Sequence, residues 1–72
     1  MTKRDRKLLT VFLRKYFQIE KDENMEDDEI MECITTLVTA GIFHDVRSLQ
    51  IVIGRKTGIL IPKKMIDDTL FL

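Results

Sequence analysis

Two apolar runs, Leu49 to Ile53 and Ile59 to Ile61, flank a glycine-bounded cationic centre, Gly54-Arg55-Lys56-Thr57-Gly58. No other stretch constrains the fold as much. The isoleucines must be buried, and Arg55 and Lys56 must stay in water. Two backbones satisfy this. At period two, Leu49, Ile51 and Ile53 point one way and Ile59 and Ile61 pair with them across a short turn. That makes a β-hairpin tipped by Arg55 and Lys56. At helical period, Asp45 caps a helix that carries Val46, Leu49 and Ile53 and ends at Gly58. Val46, Ile51, Val52 and Ile53 are β-branched, and the helix must house Gly54. Local propensity therefore favours the hairpin.

The rest of the chain reads as helix. Thr2 to about Phe17 is amphipathic: Thr2 is the cap, and Leu8, Leu9, Phe12, Leu13, Tyr16 and Ile19 recur at three- and four-residue spacing. Arg4, Lys7, Arg14 and Lys15 fall on the other side. Gln18 to Asp28 is an acidic connector, with Asn24 as a candidate cap. A second helix runs from about Glu26 to Ala40. It buries Ile30, Ile34, Leu37 and Val38, with Met31 and Cys33 beside them, and Gly41 terminates it. Pro62 opens a last short helix to about Leu70, anchored by Met65, Ile66 and Leu70. The expected fold is a single mainly helical α+β domain over 1–72: two amphipathic helices, a β-hairpin near 49–61 and a short C-terminal helix. An all-α bundle is the close rival.

Seventy-two residues lie near the lower limit for a self-supporting core. The one cysteine, Cys33, excludes an internal disulfide and fits a reducing, cytoplasmic setting. There is no signal-peptide pattern and no apolar run long enough to cross a membrane. The initial Met1 suggests a complete small gene product. Net charge is zero but segregated. Residues 1–17 carry six basic groups against one acid; residues 18–45 carry nine acids against Lys21; residues 46–72 carry five basic groups against two acids. Such blocks either complement one another within the fold or present separate patches to partners.

Tests for catalytic or metal chemistry fail. From Asp22, alternate positions Asp22, Asn24, Glu26 and Asp28 offer oxygen donors. However, Asp27 stands where an EF-hand loop needs glycine, and Cys33 where it needs glutamate. Cys33 and His44 cannot close a zinc site by themselves, and no signature supports them as a nucleophile pair. No phosphate loop, serine elbow or paired catalytic carboxylates can be assembled. Neither enzymatic activity nor a cofactor is expected.

Binding is the better expectation. In the hairpin reading, Arg55 and Lys56 resemble the wing of a winged-helix protein. In the helical reading, Ser48 to Leu70 resembles a helix-turn-helix, with Gly54, Gly58 and Pro62 at its punctuation points. Leu37 to Leu49 is similar to the start of helix–hairpin–helix modules. All three resemblances imply nucleic acid, and their shared content is the cationic set Arg55, Lys56, Lys63 and Lys64. Arg47-Ser48-Leu49 with Gly58-Ile59-Leu60-Ile61-Pro62 also resembles the serine-bearing helix of acyl carrier proteins. There, though, Arg47 replaces the acid before the serine, and the interval to the proline is too short.

The leading expectation is a small non-enzymatic regulator that binds nucleic acid through those four cations. The alternative is a protein-interaction module, an adaptor, an inhibitor or a homodimer. Its contact would be the apolar tail Leu70, Phe71 and Leu72, which must dock somewhere.

Overall fold

The computed structural model describes residues 1–20 and 24–70, and its elements are four helices: α1 (Lys3–Leu13), α2 (Asp27–Thr39), α3 (Val46–Thr57) and α4 (Lys63–Leu70). No strand occurs among the described residues. The expected β-hairpin near 49–61 is therefore wrong, and with it the α+β class and the wing resemblance. The all-helical rival is the fold.

Cap chemistry and core spacing together outweighed strand propensity. Asp45 accepts the Ser48 N–H at 2.8 Å and starts α3. Gly58, at φ 75°, adopts the left-handed conformation and donates its N–H to the Gly54 carbonyl, ending the helix. Between these stops, Leu49 and Ile53 lie four residues apart on one face and are completely buried. Ile51, which the hairpin would have placed beside them, is 46% exposed. β-Branched residues lower helix propensity by only tenths of a kcal/mol each, roughly, and burying two large side chains outweighs that.

The other boundaries follow local rules. Thr2 Oγ1 accepts the Asp5 N–H at 3.1 Å at the start of α1. α1 is shorter than expected: after Leu13 the chain turns through Arg14 to Phe17. Glu26, not Asn24, is the residue that begins α2, and its N–H is held by Glu29 Oε1 at 3.3 Å. Gly41, at φ 76°, ends α2 as expected, and the Phe43 N–H closes on the Leu37 carbonyl. Pro62 precedes α4 and offers its carbonyl to Met65 and Ile66.

Leu9, Phe12 and Leu13 of α1, Ile30, Met31, Ile34 and Leu37 of α2, Leu49 and Ile53 of α3, and Ile66 of α4 form one core, with Met25 and Ile61 from the connectors. Every helix pair packs together except α1 with α4. Met65, expected as an anchor, is instead 41% exposed.

The charge blocks meet inside the fold. Arg6 Nε and Asp27 Oδ1 lie 3.0 Å apart, and Arg6 also reaches Glu26 at 3.6 Å. The Met1 amino group lies 3.3 Å from the other oxygen of Asp27. Acids at the start of α2 thus have both the helix dipole and α1's cations beside them.

Candidate interaction surface

Two side chains set the course of the connector between α3 and α4. Thr57 Oγ1 donates to the Ile53 carbonyl at 2.6 Å and accepts the Ile59 N–H at 3.1 Å. Gln50 Nε2 donates to the Ile61 carbonyl at 2.8 Å. The chain therefore leaves the end of α3 and runs back along it to the level of Gln50. Ile61 turns into the core, while its neighbour Leu60 is left 79% exposed.

That course separates the four expected cations into two pairs. Arg55 and Lys56 occupy the last turn of α3, where the negative end of the helix dipole favours them, and both are exposed. Lys63 and Lys64 occupy the first turn of α4 and are also exposed. Lys63 is engaged by Asp67 at 2.6 Å, one turn along. From the N-terminal block, Arg6 is engaged by α2.

Leu70 is half-buried and packs on the protein's own core. Phe71 and Leu72, the rest of the expected tail contact, lie outside the described residues, as does Asp22 of the calcium reading.

Sequence reasoning missed the outward face of α3. At about 100° per residue, Ile51 points roughly opposite to Leu49 and Ile53. Arg47 and Arg55 stand one turn to either side of it, so the exposed stripe reads Arg47, Ile51, Arg55. Gly54 lies beside Ile51 at the next turn, and a Cβ added there would meet nothing within 4 Å. The i, i+4, i+8 spacing of cation, isoleucine and cation was the available signal. The hairpin reading hid it by assigning Ile51 to the core.

The remaining candidate chemistry is occupied or muted. Burial raises the Cys33 pKa, and the nearby Glu32 and Glu29 raise it further, which favours the protonated thiol. His44 is almost fully exposed, with Nδ1 3.3 Å from Asp45 Oδ2. Among the described residues no three His, Cys, Asp or Glu side chains gather as a metal site, and there is no pocket. No described helix is long and apolar enough to cross a membrane. No protein-family model, curated protein or solved structure matches this chain, so its fold and surface are read from its own residues.

Proposed function

We propose that this chain is a non-enzymatic protein-interaction module whose contact surface is the outward face of α3 together with the α3–α4 connector. The exposure of Ile51 and Leu60 carries the reading. Two large aliphatic side chains face water in a chain with few places to hide them, and Leu60 is held there by bonds on both sides. A cytoplasmic adaptor or inhibitor fits the lone thiol.

Nucleic acid is the second reading. It rests on Arg55, Lys56 and Lys64, which are exposed and form no ion pair among the described residues. It stands behind the first because Lys63 is already paired, and because phosphates give Ile51 and Leu60 no apolar surface to cover.

Amide spectra of the labelled protein in a nuclease-treated extract of the cells that express it test the choice. Signals from Arg47 to Ile61 should weaken selectively, and should recover in an Ile51→Ser, Leu60→Ser double variant. Uniform spectra, or attenuation present only before nuclease treatment, would overturn the protein reading; the second result would favour nucleic acid. Concentration-dependent broadening in plain buffer would identify a second copy of the chain as the partner.

A further inference from the structure

We infer that the partner segment seated on α3 is an acidic amphipathic helix, one that sets carboxylates on Arg47 and Arg55 and an aliphatic residue on Ile51. This rests on the interaction surface proposed above and names what fits it.

The argument is one of complementarity. Arg47 and Arg55 are exposed and make no ion pair among the described residues, so their guanidinium groups are available. Each lies about 6 Å along the helix axis from Ile51. A helical partner with the pattern acid, aliphatic, acid at i, i+4 and i+8 reproduces that spacing, and reads the same in either direction. Arginine favours this use because its planar fork takes a carboxylate with two hydrogen bonds. The bare backbone at Gly54 leaves room for close approach beside Ile51. The connector that Gln50 and Thr57 tie to α3 carries the exposed Leu60, a second aliphatic group for the partner to cover.

A second copy fits this face poorly. Two α3 helices related by a two-fold axis through Ile51 would set Arg47 of one against Arg55 of the other, cation on cation. The exposed acids of α2, Asp28 and Glu32, match the charge, but the helix carries no exposed aliphatic residue among them to cover Ile51.

The test uses the whole chain and three alanine-based helical peptides. One carries Glu, Leu and Glu at i, i+4 and i+8; one has Lys for both Glu; one has Ala for the Leu. Amide shifts are followed by titration at low and physiological salt. The Glu–Leu–Glu peptide should move the amides of Arg47, Ile51, Arg55 and Leu60, and bind several-fold more weakly at the higher salt. The Lys and Ala peptides should bind at least about tenfold more weakly. An Arg47→Glu, Arg55→Glu variant, with its fold checked by carbon shifts, should reverse the preference to the Lys peptide.

Equal binding of the Glu and Lys peptides at α3 would overturn the acidic partner and leave the surface itself intact. Shifts centred on Lys3, Arg4 and Lys7 would overturn the assignment to α3. A DNA duplex moving the same amides with higher affinity would overturn it in favour of nucleic acid. Failure of every peptide to perturb α3 would also overturn it, and the extract spectra then decide separately whether any protein uses this surface.

Discussion

The buried hydroxyl of Thr10 accepts the backbone N–H of Met25 at 3.1 Å while donating to the Arg6 carbonyl at 2.6 Å. One side chain thus ties the connector that leads into α2 against the middle of α1. Thr10 is 2% exposed and Met25 4%, so water does not substitute for either bond. Thr10→Val preserves shape but leaves the Met25 N–H without its acceptor. It should cost about 1–3 kcal/mol in urea denaturation. Thr10→Ser keeps the hydroxyl and should lose under about 1 kcal/mol. A loss in Thr10→Ser with none in Thr10→Val would show that the methyl, not the hydrogen bond, matters.

Alanine substitutions along α3 distinguish its helix from the strand that local propensity favours. Leu49→Ala and Ile53→Ala remove fully buried side chains and should each cost about 2–5 kcal/mol. Ile51→Ala removes an exposed one and should stay within about 0.5 kcal/mol of the parent. In a hairpin all three would have cost alike. Chemical denaturation midpoints provide the comparison.

The two glycines of this region should respond in opposite directions. Gly54 lies inside α3 with open space around it, so Gly54→Ala should stabilise by about 0.5–1 kcal/mol. Gly58 holds φ 75° at the end of the helix, and Gly58→Ala should destabilise by about 1–2 kcal/mol through the left-handed strain on a Cβ. Thermal melts of the pair suffice. A Gly54→Ala that melts lower than the parent would mean that this backbone is not helical.

Asp45 supplies a pH dependence of known sign. The Ser48 backbone N–H lowers the Asp45 pKa below its ordinary 3.8, followed by smaller contributions from the Ser48 and His44 side chains. A folded-state pKa below the unfolded one means that the ionised cap stabilises above the unfolded value. That support is lost as pH falls through the folded value. The melting advantage of the parent over Asp45→Ala should therefore be full at neutral pH and shrink below about 4. Asp45→Asn, a capping residue without a charge, should lie between them and change less with acid. A constant difference across that range would exclude the carboxylate as the source.

How legible the fold was in the residues varied with the range of the interaction. Thr2, Gly41 and Pro62 announce their roles because a cap or a turn is a local matter. Asp45 and Gly58 did so only in the helical reading. The choice between strand and helix for 49–61 was not local. It rests on Leu49 and Ile53 meeting a core built largely by α1 and α2, and period-two alternation of the same residues looks equally apolar in sequence. The start of α2 near Glu26 was legible, but its cap was not, for a similar reason. Asn24 is the better cap by intrinsic preference, but Glu26 lies beside Arg6, a neighbour twenty positions away in sequence. The bond from Met25 to Thr10 and the clasp of Gln50 on Ile61 leave no pattern in the chain at all. As for the surface, the cations were legible as exposed. Ile51 and Leu60 were not, because a sequence does not say which isoleucine or leucine the fold fails to cover.

The paired bonds around Leu60 have a thermodynamic consequence. With Thr57 holding the residue before it and Gln50 the residue after, the backbone that carries this side chain is ordered before any encounter. A ligand docking there has little loop entropy to remove, so more of its contact energy appears as affinity. Cutting the Gln50 clasp, with Leu60 itself untouched, should then loosen a complex through the cost of ordering a freed connector.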